Sequence, residues 1–294
     1  MEFAQGGKKG TIVFASAVTA LIAGMSAVLN LGAPQMPAPF ENPIPAVIEQ
    51  KEDNPYEEYY YYNEKNQARY VAYQNKNPKL TPDEVVWRVN ADIDLPLYTN
   101  VKVVQNPDKV PVVVNKHRVL PAGYVPKNLS KLPSGKPATQ ETCDAYRKMA
   151  ADARKQGISM YAASAYRSYA TQKRIYNNYI RQEGGNVAKV DTYSARPGHS
   201  EHQTGRTIDL IGSFGSLNDF INTPAGPWVR DNCYKYGFIV RYQQATVPLT
   251  GYKAEPWHIT YVGKDVSTAM HNLGIKTLEE YAVKYIDYKP PTGV

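Results

Sequence analysis

Two histidines and one aspartate occur in surroundings that suit metal chemistry. His202 lies seven residues before Asp209, across a glycine-containing loop, and Asp209 falls inside the apolar run 207–211. A carboxylate in the middle of a buried strand is costly unless it is paired or bound to a metal. His258 stands at the start of another apolar run. Two imidazoles and one carboxylate, with a fourth position open for water, match a catalytic zinc site.

Glu255 is the natural general base for such a site. It lies three residues before His258, and a carboxylate beside zinc can accept a proton from zinc-bound water as that water attacks a carbonyl. The pair does not belong to a His-Glu-x-x-His helix, because no histidine stands immediately before Glu255 and Pro256 opposes a helix. A lone histidine in a strand is usually a core residue, so the hydrolase hypothesis depends on these fragments meeting in the fold.

The same residues belong to a longer pattern. Residues 200–209 match Ser-x-His-x-x-Gly-x-Ala-x-Asp except that Thr207 replaces the alanine, and residues 255–258 match Glu-x-x-His. Upstream, residues 164–172 contain a Tyr-Arg-Ser segment. With these motifs in this order, the sequence resembles the VanY-type D-alanyl-D-alanine carboxypeptidases of the wider LAS metallopeptidase group, over about 80–285. The departure at Thr207 leaves every predicted ligand in place.

The resemblance implies the same zinc ligands, the same base and three substrate contacts. Arg167 would stabilise the developing oxyanion or hold the peptide near the metal, which suits a permanent cation with a forked set of donors. Ser200 and Gln172 would contact the terminal carboxylate of the substrate. The substrate class would be peptidoglycan stem peptides, and the reaction would be removal of their C-terminal D-alanine.

The elements that must position these residues mix helices and strands. A capping box at 81–84 with proline at the first helical position opens a short helix. Further helices are predicted at 140–155, 169–182 and 227–236, and strands at 101–104, 110–114, 158–166, 206–211, 238–241 and 257–262. Because strict βαβ alternation is missing, the pattern predicts an α+β fold, a small mostly antiparallel sheet with flanking helices. The resemblance implies that this is the LAS/hedgehog-like peptidase fold.

The amino terminus is predicted to anchor the chain in a membrane. No charged residue occurs between Lys9 and Glu41, and 11–33 is a run of 23 mainly apolar residues, long enough to span the hydrocarbon core. Basic residues precede the run, so residues 1–10 are expected in the cytoplasm and the rest outside, as a single-pass protein of the cell membrane. The alternative is a cleaved signal peptide, although its apolar region is usually shorter and Pro34 opposes cleavage.

The remaining chain divides into four predicted parts. Residues 34–65 are a linker rich in proline, tyrosine and acidic residues, read as a solvated stalk. Residues 66–125 lead into the catalytic domain at 126–288, and 289–294 form a tail. Two cysteines, Cys143 and Cys233, leave open whether the chain carries one disulfide or two buried thiols.

The distribution of charge along the chain indicates what kind of partner the protein binds. Net charge is +7, but residues 41–64 carry −6, so the remainder carries +13. A basic body suits an anionic partner. No nucleic-acid motif and no run of basic residues occurs, so we expect an anionic cell envelope rather than nucleic acid as the partner. The protein is expected to be a monomer. Two alternatives stay open, an L,D-carboxypeptidase acting on tetrapeptide stems and a catalytically inactive wall-binding module.

Overall fold

The computed structural model describes residues 53–288. The predicted anchor at 11–33, most of the linker and the tail at 289–294 lie outside this range. Within this range, none of the helices could span a membrane. The residues predicted as lead-in and as catalytic domain belong to one compact unit.

The helices and strands within residues 53–288 are numbered in chain order. The helices are α1 (Gln67–Lys76), α2 (Pro82–Asn90), α3 (Gln140–Lys155), α4 (Tyr169–Gln182), α5 (Val187–Asp191), α6 (Ala225–Asn232), α7 (Val247–Thr250), α8 (Lys264–Asn272) and α9 (Leu278–Ala282), which continues as a π-helical turn, Val283–Asp287. The strands are β1 (Lys102–Val103), β2 (Arg118–Val119), β3 (Leu129–Lys131), β4 (Pro137–Thr139), β5 (Tyr161–Ser164), β6 (Thr207–Ile211), β7 (Phe238–Tyr242) and β8 (Glu255–Tyr261). Short 3-10 turns occur at Glu64–Asn66, Glu201–Thr204, Leu217–Asn222, Cys233–Tyr236 and Gln244–Thr246.

A four-stranded sheet in the order β5-β6-β8-β7 forms the centre of the fold. All its neighbouring strands are antiparallel, so the predicted α+β architecture with a small antiparallel sheet is confirmed. Two further sheets have two strands each, parallel between β1 and β2 and antiparallel between β3 and β4. Strands β6 and β8 therefore lie in the middle of the main sheet, where both edges of each strand are paired.

Side chains along β6 and β8 alternate between the two faces of the sheet, and this places the core residues on one face and the predicted metal ligands on the other. Ile208, Leu210 and Ile259 are fully buried in the main core cluster with residues of α3 and α6. Because successive side chains of a strand point to opposite faces, Asp209 and His258 belong to the other face of the same sheet. The apolar pattern that holds the helices thus also determines where these two polar side chains point.

Local sequence explains the two helices that flank the sheet and the site. α3 spans the predicted residues 140–155, and it buries Cys143, Tyr146, Met149 and Ala153 along one face. α4 begins after Ser168, whose side chain accepts a hydrogen bond from the backbone N–H of Thr171. The capping box at the start of α2 is also formed as predicted. Cys143 and Cys233 are buried as separate thiols rather than joined.

One predicted strand is absent. Residues 110–114 form no strand, and β1 pairs instead with Arg118–Val119. Pro111 has no N–H to donate to a ladder. Val113 and Val114 are buried all the same, and Val113 packs in a cluster with Leu278 and Ala282 of α9. The apolar run was therefore a signal of burial rather than of strand pairing.

The tyrosine-rich run also differs from the expectation of a solvated stalk. Tyr56 and Tyr61 are buried in a cluster with Tyr70 of α1 and Trp87 of α2. The hydroxyl of Tyr61 donates a hydrogen bond to Asp83 at the start of α2. Aromatic rings bury a large apolar area while their hydroxyl finds a polar partner. The catalytic body therefore includes Tyr56 and Tyr61, which lie within the range 34–65 that was predicted as linker.

Candidate functional site

The structure brings the three predicted metal ligands together. The β6–β8 register places Asp209 directly opposite His258, and the 3-10 turn Glu201–Thr204 delivers His202 just before β6. His202 Nε2 lies 3.1 Å from Asp209 Oδ2, and His258 Nδ1 lies 3.2 Å from Asp209 Oδ1. One ligand atom from each residue lies within 4.8 Å of the others, and all three residues are buried. This spacing leaves room for one metal ion between them.

Gly205 makes the approach of His202 to β6 sterically allowed. Its φ is +67°, and a Cβ there would lie 3.1 Å from Leu129 and 3.3 Å from Pro126. The left-handed conformation and the close neighbours both favour glycine. The turn is held from the other side, where the N–H of Arg167 donates to the carbonyl of His202 at 3.0 Å.

Hydrogen bonds outside the cluster determine which imidazole nitrogens face the metal position. His202 Nδ1 lies 2.7 Å from the carbonyl oxygen of Ala165, which can only accept, so Nδ1 carries the proton. His258 Nε2 lies 3.4 Å from Glu201 Oε2. The two remaining nitrogens, Nε2 of His202 and Nδ1 of His258, therefore face Asp209. Such outer contacts usually orient histidine ligands of a metal.

The pKa shifts follow from burial and from the neighbouring charges. Burial alone would raise the pKa of Asp209, but His202 and His258 hold it well below its usual value. Burial lowers the pKa of His202, which favours the neutral form that a metal requires. Burial would also lower the pKa of His258, but contacts with Asp209, Glu201 and Glu255 raise it well above its usual value. Negative charge thus attracts a cation, either a proton or a metal, to Nδ1 of His258.

The donor set and the charge fit a divalent metal ion. Asp209 Oδ1 is buried and receives no hydrogen bond, so it is available as a ligand. The site and its contacts contain four carboxylates and two guanidinium groups, a formal charge of −2 with both histidines neutral. These groups are Asp209, Glu201, Glu255, Glu279, Arg167 and Arg241. Two imidazoles and a carboxylate are a typical donor set for catalytic zinc.

Glu255 and Arg167 flank the ligands on the side of a cleft of about 730 Å³. Glu255 Oε2 lies 3.3 Å from His258 Nδ1, and its side chain is 16% exposed. Arg167 Nη2 lies 3.7 Å from Asp209 Oδ2, and its side chain is 21% exposed. Both charged groups therefore reach water and the metal position together, as groups that contact a substrate must.

The other two predicted substrate contacts, Ser200 and Gln172, differ in whether their side chains are available to a substrate. Ser200 lines the cleft. Gln172 also lines it but is buried beneath Arg167, and both ends of its amide are engaged within the protein. Its Oε1 accepts from Arg167 at 2.9 Å and its Nε2 donates to the carbonyl of Ala195 at 2.7 Å. Gln172 therefore orients Arg167, which sequence patterns do not reveal.

Four polar residues near the site were not predicted. Glu201 contacts His258, Thr260 and Arg241, and Arg241 in turn contacts Glu279. One sequence feature could have indicated Arg241, since it is a charged residue inside the apolar strand 238–242. Asp209 is likewise a charged residue inside an apolar strand, β6.

The chain is similar to known proteins in sequence and in fold. Residues 136–264 match the family model described as VanY, D-alanyl-D-alanine carboxypeptidase. YodJ of Bacillus subtilis strain 168, which its name assigns to the carboxypeptidases, is 37% identical over 203 residues, covering 65% of this chain and 73% of that protein.

Two solved structures are similar to the chain over most of their own length. The LdcB LD-carboxypeptidase has a TM-score of 0.58 and 36% identity, covering 63% of this chain and 91% of that one. A variant of the vancomycin resistance D,D-pentapeptidase VanY, from a VanB-type cassette and in complex with Zn(II), has a TM-score of 0.52 and 29% identity. That match covers 58% of this chain and 97% of the other.

Proposed function

Because the chain belongs to the VanY family of D-alanyl-D-alanine carboxypeptidases and is a metallo-carboxypeptidase, we propose that it removes the C-terminal D-alanine from peptidoglycan stem peptides. The observation that carries the proposal is the convergence of His202, Asp209 and His258 beside Glu255. The VanY structure with Zn(II) supports zinc as the metal. A catalytically inactive wall-binding module is disfavoured because each ligand and the base are present at contact distance.

The chain's own residues divide the chemistry between them. Zinc held by the three ligands would polarise the scissile carbonyl and lower the pKa of a water molecule. Glu255, next to His258 Nδ1 and open to the cleft, accepts the proton of the attacking water. The same carboxyl group then donates that proton to the amine of the departing alanine. Among the described carboxylates that line the cleft and contact a ligand histidine, Glu255 is the most exposed, at 16% against 7% for Asp209 and 2% for Glu201.

Arg167 supplies the positive charge on the substrate side. Gln172 and Ser164 accept hydrogen bonds from its guanidinium group at 2.9 and 3.1 Å, so the group is held in one orientation. A forked cation fixed near the ligands can bind the developing oxyanion or the terminal carboxylate of the peptide. Ser200 lines the same cleft and is the second group assigned to the terminal carboxylate. Gln172 acts by positioning Arg167.

A second candidate is removal of D-alanine from tetrapeptide stems, where the preceding residue presents an L-configured centre. The observation in its favour is that similarity to the LdcB LD-carboxypeptidase exceeds similarity to the D,D-pentapeptidase, with TM-scores of 0.58 and 0.52. Both reactions need the same metal, base and cation. They differ only in how the cleft fits the residue before the scissile bond.

Synthetic stem peptides distinguish these functions. The full-length chain, purified in detergent, is incubated with pentapeptide and tetrapeptide stems, and the products are identified by mass spectrometry. We expect the loss of one alanine, abolition by a chelator, and recovery when zinc is added back. Cleavage of the pentapeptide alone supports the first candidate, and cleavage of the tetrapeptide supports the second. Cleavage that a chelator leaves unchanged contradicts the zinc proposal, and zinc binding without cleavage of either stem favours a binding module.

A further inference from the structure

A buried series of polar contacts leads away from the metal site. Glu201 follows Ser200 in the 3-10 turn, and its Oε2 lies 3.4 Å from His258 Nε2. The same oxygen accepts a hydrogen bond from Thr260 at 2.7 Å, while Oε1 accepts from Arg241 Nε at 2.7 Å. Both carboxylate oxygens are therefore held by donors. The position of Glu201 is fixed from two strands, β7 and β8.

The contacts continue to the last helix of the chain. Arg241 donates two further hydrogen bonds to Glu279 of α9, at 3.0 and 2.6 Å. Asn115 donates to Glu279 at 3.0 Å from the lead-in segment. The side chains of Arg241, Glu201 and Glu279 are 0%, 2% and 5% exposed. The planar guanidinium group thus bridges two buried carboxylates.

Stability alone does not explain this arrangement. Desolvating three charged groups is expensive, and apolar side chains of similar volume usually stabilise a protein as well or better. Glu201, Arg241 and Glu279 together carry a formal charge of −1, and the side of the network nearest the metal position is the Glu201 carboxylate. That carboxylate accepts the Nε2 proton of His258 and leaves Nδ1 directed at the metal position. A carboxylate behind a ligating imidazole fixes its orientation and increases its basicity.

We propose that Glu201, Arg241 and Glu279 are positioning residues that orient His258 and strengthen metal binding. In this arrangement α9 and the segment around Asn115 are parts of the metal centre, although both lie outside the residues matched by the family model, 136–264. The inference rests on the proposed metal site. It goes beyond that site because it assigns a function to Arg241 and Glu279, which do not line the cleft and act on His258 only through Glu201.

The test compares metal affinity in single variants of the full-length chain. Glu201→Gln and Glu279→Gln keep the size of each side chain and remove its charge. Glu280→Gln is the matched control, because Glu280 is the next residue on α9 and bonds to Lys284 instead. Zinc affinity is measured by competition with a chromogenic chelator. We expect Glu201→Gln to bind zinc about 10- to 100-fold more weakly, Glu279→Gln to show a smaller loss, and the control to equal wild type.

Two further measurements separate positioning from simple structural damage. The triple variant Glu201→Gln, Arg241→Met, Glu279→Gln removes all three buried charges together, which should recover thermal stability relative to Glu201→Gln. Zinc affinity should stay weak in this variant. The visible absorption of the Co(II)-substituted protein should change in Glu201→Gln and not in Glu280→Gln, because it reports the geometry of the ligands.

Three possible results distinguish a failure of the positioning role from a failure of the proposed zinc enzyme. If wild type binds zinc and Glu201→Gln binds it equally well, the positioning role is wrong and the zinc enzyme stands. If the triple variant regains wild-type zinc affinity along with its stability, the network is only structural and the inference fails. If wild type binds no zinc, the proposed function fails and this inference fails with it.

Discussion

Two glutamates approach His258, and their surroundings give them different tasks. Glu201 is fully buried on the Nε2 side, where Arg241 and Thr260 occupy its oxygens. Burial alone would raise the pKa of Glu201, but Arg241 and His258 lower it to about 2. A carboxylate held so firmly in its charged form is a poor proton carrier. Glu255 lies on the Nδ1 side and faces the cleft, so it can receive a proton and pass it on.

We therefore expect Glu255→Gln to separate catalysis from metal binding. Glutamine keeps the size and hydrogen bonding of the side chain but cannot accept the proton, so kcat should fall by about 10²- to 10⁴-fold. Zinc should remain bound because His202, Asp209 and His258 are intact. His258→Ala is the contrasting variant and should lose both zinc and activity. Zinc content by atomic absorption and stem-peptide hydrolysis are measured on each. Loss of zinc from Glu255→Gln would make Glu255 a ligand, and normal hydrolysis would place the base elsewhere.

At the scale of elements, one wall of the cleft is formed by a 3-10 turn whose backbone packs closely against helix α6. The 3-10 turn Leu217–Asn222 begins at the cleft, where Leu217 is among the lining residues. Its far end packs against α6 at Gly226. A Cβ on Gly226 would lie 2.5 Å from the carbonyl oxygen of Phe220 and 2.8 Å from Ile221 Cα. The glycine is therefore required by packing between the two elements.

Gly226→Ala should destabilise the protein although alanine favours helices. The helix preference is worth up to about 1 kcal/mol, whereas forcing an atom into backbone contact costs about 1–3 kcal/mol. Displacement of the turn should also raise KM more than it lowers kcat, because Leu217 moves and the metal ligands do not. Urea denaturation and steady-state kinetics on stem peptides measure both effects. Gly123→Ala is the control, since a Cβ there meets no atom within 4 Å. A Gly226→Ala protein more stable than wild type would contradict the argument.

At the scale of the whole molecule, the proposed substrate and the predicted membrane anchor both favour a catalytic body outside the cytoplasm. Stem peptides of the cell wall lie outside the cytoplasmic membrane, and the 23 apolar residues at 11–33 are long enough to span it. We propose that the chain is a single-pass membrane protein with its catalytic body outside. Because Tyr56 and Tyr61 pack on the body, part of the range 34–65 that was predicted as linker belongs to the catalytic body.

This topology predicts where a fused reporter is active. A periplasmic-type reporter such as alkaline phosphatase, placed after Val294, should be active, and the same fusion without residues 1–33 should be inactive. The full-length protein should sediment with membranes and require detergent for release. Recovery of a soluble protein that begins near Pro34 would instead support the cleaved signal peptide, and an inactive full-length fusion would contradict export altogether.

The sequence by itself determined the chemistry of the site and most of the elements that carry it. The zinc donors, the base and Arg167 are short-range motifs, and the spans of α3 and α4 follow from helical periodicity and the residues that end each helix. These features are encoded within a few consecutive residues, so they can be recognised from the sequence alone. The tyrosine-rich run was predicted as a solvated linker and residues 110–114 as a strand, and the structure shows neither. Aromatic and apolar content indicates that a segment can be buried, but it does not indicate which elements the segment packs against.

Only the tertiary structure decided how the polar groups are divided among tasks. It placed Gln172 beneath Arg167 rather than free for the substrate, and it joined Glu201 through Arg241 to Glu279. These contacts connect residues that are far apart in sequence, and no periodicity links them. A carboxylate becomes a base, a ligand or a positioning group according to its burial and its hydrogen-bond donors, and those are properties of the packed chain rather than of any segment of it.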